Sequence, residues 1–436
     1  MEVGEVRRRK VLWFGVLTTL VALPAFAQDI AGDWQGAVKA GAQELRLIVK
    51  IGESASGGWK TTLYSIDQSP NPIPVGTVTL LGANLKLNVE AVRATYEGKV
   101  SADGNTIAGT WTQGAAFPLE LRRATKQTAW QIDPSNHKVQ FINVDANVKL
   151  EVLDWGGTGR SVVLLAGLGD NAHVYDDFAP KLTGSYHVYG ITRRGFGASS
   201  APESGYSADR LGDDVLAVIN ALKLNRPVLV GHSVAGEELS SVGSRHPEKV
   251  AGLVYLDAAY GYAYYDRSRG DLNIDLSELE AKLEAVRPGK ARGDTRPLIQ
   301  ELLAASLPAI QRDLQEMQKD LDAMPAAMLN AQSSAPAGPP VAQAIMAGAQ
   351  KYTNIPVPSL AIYALPHDLG PAISDPAVRA KMEARDEAAT GAQAKAFENG
   401  VRSARVVRLP HASHYVFRSN EADVLREMST FIGKLP

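Results

Sequence analysis

Residues 227–236 read PVLVGHSVAG, and this stretch decides how the rest of the chain is interpreted. The apolar run Pro227 to Val230 predicts a short buried strand, and Glu237, Glu238 and Leu239 predict a helix that begins almost at once. Between them, Ser233 lies on a tight turn at the end of the strand, directly before a helix N-terminus. The helix dipole and its free amides favour negative charge there, so the position suits a nucleophile.

The whole chain has the composition of a globular protein with more than one unit. It has 436 residues, 45% of them apolar, and a formal net charge of -2. This length predicts two or three units, and the lack of a basic stripe argues against nucleic acid as a partner. The sequence contains no cysteine, which excludes disulfides, thiolate zinc sites and cysteine nucleophiles.

The N-terminal residues 1–27 have the pattern of a secretory signal. Arg7 to Lys10 are basic, Val11 to Ala22 are mostly apolar, and Ala25-Phe26-Ala27 fits a cleavage site. We therefore expect a periplasmic or secreted bacterial protein with no stable membrane span after cleavage. The alternative is an uncleaved membrane anchor, for which the apolar stretch is short.

Residues 29–123 predict an all-β unit, followed by a linker at 124–136. Short alternating runs are separated by turn signals such as Gly82-Ala83-Asn84 and Asp103-Gly104, which is typical of a meander in a small barrel or sandwich. Trp34, Trp59 and Trp111 could form a face for carbohydrate or lipid, or they could simply pack in the core.

Residues 137–436 predict a different architecture, in which strands alternate with helices. This rhythm is typical of an α/β fold with a doubly wound, mostly parallel sheet. It stops between about 262 and 355, where helical periodicity predicts a cap over the active face. Six short apolar runs predict the strands, at 162–165, 188–191, 228–230, 253–256, 360–363 and 406–409.

A serine nucleophile needs a base, an acid that orients the base, and amides that bind the oxyanion. The base is expected on the loop after the last predicted strand, where the sequence reads Pro410-His411-Ala412-Ser413-His414. A histidine on that loop would face the same edge of the sheet as Ser233.

With these motifs in place, residues 137–436 resemble the α/β-hydrolase superfamily, of the esterase and lipase type. Arg194-Gly195-Phe196-Gly197-Ala198-Ser199 is similar to the family's R-G-x-G-x-S loop, and His414-Tyr415-Val416 is similar to its final histidine motif. The resemblance implies that His414 is the base and His411 a bystander. It also implies an oxyanion hole made by the amides of Val234 and Leu168.

Two aspartates compete for the role of the acid. The resemblance puts the acid most often after the strand at 360–363, which favours Asp368, although Asp368 is one residue later than the commonest spacing. Some members carry the acid after the preceding strand, which makes Asp257 the alternative. We take Asp368 as the acid and keep Asp257 open.

The chain departs from the family pattern at two places. Ala235 stands where G-x-S-x-G has its second glycine, and Ala166 replaces the usual histidine of the oxyanion loop. Alanine is small enough for the turn to close with slight strain, and oxyanion binding depends on amides, so activity is still expected. We expect Glu237 and Glu238 to cap the helix or to be solvated.

Other chemistries have less support in the sequence. Gly167-Leu168-Gly169-Asp170-Asn171-Ala172 matches a dinucleotide fingerprint, but Thr192-Arg193-Arg194 stands where a ribose-binding acid is expected. The eight histidines are scattered and no H-E-x-x-H occurs, so we expect no metal.

The sequence thus predicts an exported serine hydrolase that cleaves a small-molecule carboxylic ester, lactone or thioester without a cofactor. A peptidase, an amidase or a C–C hydrolase could use the same residues. An alternative of a different class is a binding module whose hydrolase domain is catalytically dead.

Overall fold

The structure, a computed structural model, describes residues 29–40, 43–54, 57–68, 72–132, 136–290, 292–322, 340–370 and 375–436. The predicted signal segment 1–27 lies outside the described residues. In the described part, the chain forms two sheets, one antiparallel and one mixed, with helices around the second. The predicted fold class, an α/β unit preceded by an all-β unit, is confirmed.

The first sheet is an antiparallel half-barrel with the strand order β4-β3-β2-β1-β9-β8-β7-β6-β5. Its inward side chains alternate along the strands, and Trp34 and Trp111 are buried among them, while Trp59 is half-buried. The three tryptophans therefore do not form one exposed face, and a carbohydrate or lipid contact of this unit stays a prediction. The strands are β1 (Gly32–Ala40), β2 (Gln43–Glu53), β3 (Trp59–Ser65), β4 (Ile73–Pro74), β5 (Thr77–Leu81), β6 (Asn84–Val89), β7 (Ala94–Val100), β8 (Thr106–Gln113) and β9 (Ala115–Arg123).

The second sheet has the strand order β10-β11-β13-β12-β14-β15-β16-β17 and is parallel from β13 to β17. The chain leaves β12 on one side to form β13 and returns on the other side to form β14. Loops after β12 and β14 therefore open a crevice at the carboxyl ends of the strands, where ligands bind in open α/β sheets. The strands are β10 (Lys138–Asp145), β11 (Val148–Gly156), β12 (Ser161–Leu165), β13 (His187–Ile191), β14 (Val228–His232), β15 (Gly252–Leu256), β16 (Ser359–Ala364) and β17 (Ala404–Leu409).

The helices pack on both faces of the second sheet and build a helical insertion between β15 and β16. The insertion contains α3 to α6 and a π-helical segment at Leu302–Ser306, in the region where the sequence predicts a cap. The helices are α1 (Ala208–Ala221), α2 (Gly236–Arg245), α3 (Leu272–Val286), α4 (Arg296–Glu301), α5 (Leu307–Asp322), α6 (Pro340–Ala347), α7 (Pro376–Gly400), α8 (Val416–Ser419) and α9 (Glu421–Ile432). Among the described residues, no helix is both long and apolar enough to cross a membrane.

The half-barrel contacts two loops at the carboxyl edge of the second sheet. Asp67, which is fully buried, accepts hydrogen bonds from Arg46 in β2 and from Arg418 in α8. Gln68 donates to the carbonyl of Gly169, in the loop after β12, at 3.3 Å. The first unit is thus linked to the loop that precedes the crevice and to the helix that follows His414.

Candidate active site

Ser233 lies on a sharp turn between β14 and α2, as the sequence predicts. Its backbone has a φ of 54°, in the left-handed region that residues other than glycine rarely adopt. Strain of this kind persists only where the surroundings enforce it, and it is frequent at active sites. The turn leaves the serine half-buried at the end of the strand, while Val234 and Ala235 are buried beneath it.

The departure at Ala235 is explained by its neighbours. A Cβ atom added to Gly231 would lie 3.1 Å from the Cβ of Ala235. Because residue 231 is a glycine, there is space for the alanine side chain at 235. Gly236 is the position that tolerates no side chain, because a Cβ there would lie 2.0 Å from the carbonyl oxygen of Ala258. The turn therefore closes with alanine at 235 and needs its second glycine at 236.

The loop after β12 lies directly against Ser233. A Cβ on Gly167 would lie 3.2 Å from the Cβ of Ser233. Arg193 holds this loop by donating to the carbonyls of Ala166 at 2.8 Å and Gly167 at 3.3 Å. The predicted oxyanion residue Leu168 follows Gly167 in this loop and is half-buried. Use of its amide and that of Val234 stays a prediction.

Arg193 is itself fixed by a buried ion pair that the sequence analysis missed. Its guanidinium makes two hydrogen bonds to Glu238, at 2.7 and 2.8 Å, and both side chains are about 4% exposed. Glu238 is therefore not solvated, contrary to expectation, but connects the first turn of α2 with the loop after β12. No local pattern announces this pair, since its members are 45 residues apart.

Glu237 is also buried, at 1% exposure, and within the described residues neither of its carboxylate oxygens has a hydrogen-bond partner. Burial, together with repulsion from Glu238, raises the pKa of Glu237 well above its ordinary value. The expectation that this residue is a solvated cap was therefore wrong, because α2 turns it towards the interior.

His414 lies on the loop after β17 and is paired with an aspartate. Its Nδ1 is 2.7 Å from Oδ2 of Asp257, whose side chain is fully buried after β15. Burial alone would raise the pKa of Asp257, but hydrogen bonds from His367 and His414 and their charges outweigh it, and the pKa is well below its usual range. Asp257 is therefore a carboxylate poised to accept from the His414 ring.

The preferred position of the acid in the sequence analysis has to be corrected. Asp368 is exposed, and its carboxylate accepts a hydrogen bond from the amide of Gly370. The backbone of Asp368 donates to Ala412, which pairs the two loops but directs no carboxylate to His414. Among the described residues, the alternative Asp257 is the carboxylate on the His414 ring.

His232 places the ring of His414 beside the nucleophile turn. Its Nε2 donates to the backbone carbonyl of His414 at 3.0 Å, and the two ring centroids are 4.6 Å apart. Burial, with repulsion from His414, lowers the pKa of His232 well below its ordinary value, so this ring is neutral. The residue before Ser233 thus supports the histidine loop.

Two tyrosines at the start of the helical insertion line the same region. Tyr262 interacts with the Ser233 side chain, and burial raises the pKa of Tyr262 well above its ordinary value. Tyr260 donates to Oδ1 of Asp257 at 2.8 Å. Both tyrosines therefore stay protonated and are held close to the serine and the aspartate.

His367, which directly precedes Asp368, contacts Asp257. Its Nε2 is 2.8 Å from Oδ2 of Asp257, and its Nδ1 is 2.9 Å from Asp386 in α7. Sequence reasoning missed both His367 and Asp386. The sequence carries one signal that could have pointed to His367: a histidine follows β16, at the strand end where the resemblance predicts the acid.

At each of two places, three side chains that could bind a metal have their ligand atoms within 4.8 Å of one another. They are His137, His173 and Asp176 in one place, and Asp257, His367 and His414 in the other. Hydrogen bonds already engage the second group throughout, and in the first His173 donates to Asp176 at 3.0 Å. We interpret both groups as ion pairs, and the expected absence of a metal stays a prediction.

The arginines that a phosphorylated dinucleotide would need are not available to it. Arg193 is paired with Glu238, and Arg194 is paired with Asp214 at 2.6 Å, with 2% of the Arg194 side chain exposed. Gly167 is accounted for by its close approach to the serine turn, and Gly169 by its φ of 89°, a conformation that other residues rarely adopt.

The arrangement can perform nucleophilic substitution at a carbonyl. It combines a strained, half-buried serine, a histidine on a neighbouring loop, a buried carboxylate on that histidine, and a loop whose backbone lies against the serine. These are the parts of a serine nucleophile with a general base.

Comparison with known proteins agrees with this architecture. The sequence profile of the Alpha/beta hydrolase family matches residues 162–427, which is well over half of the chain. A putative non-heme haloperoxidase of Mycobacterium phage D29 is 30% identical over 111 residues, covering 25% of this chain and 40% of that protein. The 2-(acetamidomethylene)succinate hydrolase of Mesorhizobium japonicum is 25% identical over 157 residues, covering 36% and 52%.

The chain spans about half or less of the length of these curated relatives. Among solved structures, E-2-(acetamidomethylene)succinate hydrolase has 20% identity and a TM-score of 0.43, covering 68% of this chain and 100% of that one. The epoxide hydrolase of Bacillus megaterium has 18% identity and a TM-score of 0.40, covering 68% and 100%.

Proposed function

Because the chain belongs to the alpha/beta hydrolase family, we propose that it is a serine hydrolase that cleaves small carboxylic esters, including lactones or thioesters. The observation that carries the proposal is the contact of His414 Nδ1 with the buried Asp257, next to the turn that presents Ser233. Dehalogenases and epoxide hydrolases of this fold use an aspartate as nucleophile, whereas this turn presents a hydroxyl.

In the proposed reaction, the Ser233 oxygen attacks the ester carbonyl while His414 takes the hydroxyl proton. Asp257 keeps the His414 ring in the required tautomer and stabilises its positive charge. The amides of Val234 and Leu168 bind the oxyanion, and each such donor is worth about a hundred- to a thousand-fold in rate.

Collapse of the intermediate breaks the bond between the carbonyl carbon and the alkoxy oxygen, and His414 returns the proton to the leaving alcohol. Water, deprotonated by His414, then attacks the acyl-serine and releases the acid with the serine hydroxyl restored. No step needs an oxidant, a reductant or a further co-reactant.

A fluorophosphonate probe tests this proposal, since it forms a covalent bond only with an activated serine. We expect stoichiometric labelling of the protein and none of Ser233→Ala, while a matched Ser240→Ala variant, altered at a buried serine elsewhere on α2, should label normally. Folded protein that resists the probe and hydrolyses no substrate would instead favour a binding module.

A substrate panel then separates the enzyme classes. We expect turnover of p-nitrophenyl esters of short acyl chains and slow or no turnover of the corresponding anilides. Preference for anilides would indicate an amidase or peptidase, and turnover of dienones alone would indicate C–C bond hydrolysis.

The place of action is part of the proposal. The basic and apolar pattern of residues 1–27 supports export to the periplasm or the medium. Fractionation of a bacterial host, with N-terminal sequencing of the exported protein, is expected to give a chain that begins at Gln28.

A further inference from the structure

His367 lies between two carboxylates that belong to different elements. Its Nε2 is 2.8 Å from Oδ2 of Asp257, after β15, and its Nδ1 is 2.9 Å from Oδ2 of Asp386, in α7. Its backbone amide donates to Asp386 as well, at 2.7 Å, and Thr390 donates to the other oxygen of Asp386. The ring is thus held from two sides in one orientation.

This arrangement determines the protonation state of the ring. An ionised carboxylate only accepts hydrogen bonds, so both ring nitrogens must donate, and only the imidazolium form has two N–H groups. The pKa of His367 agrees: burial would lower it, but Asp257 and Asp386 outweigh burial and raise it to about 10. His367 is therefore a cation at neutral pH.

The same carboxylate oxygen also receives His414. Oδ2 of Asp257 lies 2.8 Å from His367 Nε2 and 2.7 Å from His414 Nδ1. Oδ1 accepts from the Tyr260 hydroxyl at 2.8 Å and from the amide of Ala364 at 3.1 Å. The carboxylate is therefore fixed by four donors, one of which carries a full positive charge.

The charge of His367 acts on His414 as well as on Asp257. The two ring centroids are 6.3 Å apart. The titratable groups that face His367 are Asp257 and Tyr260 from the segment after β15, Asp386 from α7, and His414 from the loop after β17. Asp386 offsets part of the cation's effect, but it lies on the side of His367 away from Asp257.

We propose that His367 is a positioning residue of the triad, which locks the Asp257 carboxylate and, through its positive charge, keeps His414 available as a base at lower pH. The proposal rests on the proposed function, because it concerns the same serine, histidine and aspartate. In a triad whose aspartate stands alone, the full negative charge would favour the protonated histidine, which cannot accept the serine proton.

The test is the acid limb of the pH profile of kcat/KM for p-nitrophenyl acetate, measured for the full chain between pH 4.5 and 9. In His367→Gln, the amide can still donate to Asp257 but carries no charge. We expect the acid limb to move to higher pH by about one to two units, from the interaction of unit charges 6.3 Å apart in a partly polar site.

Asp386→Asn should move the limb by a smaller amount in the opposite direction, to lower pH, because it removes the charge that offsets part of the cation's effect while Asp257 still holds the His367 ring. His411→Asn is the matched control, since His411 is an exposed histidine on the same loop as His414. Its profile should superimpose on that of the unaltered protein. An acid limb of His367→Gln that stays in place or moves to lower pH would overturn the proposal.

A second measurement observes the ring in the unaltered protein and does not depend on activity. Long-range 1H–15N spectra of the unaltered protein report the protonation of each imidazole. At pH 8, where an ordinary histidine is neutral, we expect both nitrogens of the His367 ring to be protonated. His173, whose pKa its carboxylate neighbours Asp176 and Glu151 raise to about 9, should give a second such ring, and the loss or shift of a signal in the His367→Gln variant tells the two apart. A His367 ring that is singly protonated at pH 8 would contradict the inference.

The two proposals fail in different ways. If the fluorophosphonate probe does not label Ser233, the proposed function is wrong, whatever the charge of His367. If Ser233 labels and esters turn over but the acid limb does not respond to His367→Gln, the triad stands and only the role of His367 is wrong.

Discussion

Replacing Asp257 by asparagine should abolish most of the activity, whereas the same change at Asp368 should leave it nearly unaltered. Asp257 Oδ2 lies 2.7 Å from His414 Nδ1, and in the proposed reaction its negative charge stabilises the imidazolium formed in the transition state. The asparagine removes that charge with almost no change in volume. It also offers an amide N–H that can force His414 into the wrong tautomer.

The expected magnitude follows from the distance between the charges. Two unit charges about 4 Å apart, with an effective dielectric constant of about 20, interact by about 4 kcal/mol, which corresponds to about a thousand-fold in rate. The wrong His414 tautomer can add to this loss of rate. In the serine protease that serves as the model for the Ser-His-Asp triad, the same substitution lowers kcat about 10⁴-fold. We therefore expect a loss of three to four orders of magnitude in kcat for Asp257→Asn.

The assay is hydrolysis of p-nitrophenyl acetate at pH 8, with thermal unfolding of each variant measured alongside. Asp368→Asn is the matched control, because Asp368 is exposed and bonded only to backbone groups of its own and the neighbouring loop among the described contacts. Its kcat should stay within about threefold of the unaltered protein. A folded Asp257→Asn that keeps full activity, or an Asp368→Asn that loses it, would refute the assignment.

Four further predictions concern the groups around the nucleophile turn and the ion pairs behind it. Glu238→Gln breaks the buried pair that holds the loop after β12, and should lower the free energy of unfolding by about 3–5 kcal/mol in urea titrations; an unchanged midpoint would contradict the role of that pair. Glu237→Met removes a buried carboxyl without a described partner and should raise the free energy of unfolding by about 1–3 kcal/mol, whereas a loss would mean that the carboxyl is satisfied. His173 has its pKa raised to about 9, so its stabilisation, about 3 kcal/mol, is complete below pH 6.5 and is lost as the pH rises through 9; His173→Gln should remove this pH dependence of the melting temperature. Gly236→Ala would put a Cβ 2.0 Å from the carbonyl oxygen of Ala258, and we expect loss of fluorophosphonate labelling together with a fall of at least about 1–3 kcal/mol in stability.

The parts of the site that the sequence predicted are those with a local signal. An apolar run, a small-residue turn and a helix start are adjacent in the chain, so residues 227–236 identify the turn that carries Ser233 without any tertiary information. The strand ends that hold His414 and Leu168 follow from the same alternation of strands and helices, because carboxyl ends of parallel strands meet at one edge.

The choice of acid could not be made in this way. Asp257 and the loop of Asp368 follow neighbouring strands, β15 and β16, so both satisfy the rule that places the acid at this edge. The two aspartates differ in the direction in which their carboxylates point. Asp257 has a φ of 47° and turns its carboxylate inward to two histidines, whereas Asp368 follows His367 and faces solvent.

The sequence alone therefore determined the two-unit architecture, the position of the serine and the histidine loop, because each depends on the order of residues within a few turns of chain. Only the tertiary structure decided which carboxylate meets His414, that Arg193 and Glu238 support the loop after β12, and that His367 lies between two aspartates. Those pairings join residues from 19 to 157 positions apart, and their energy depends on burial and on distances of about 3 Å that no local pattern encodes.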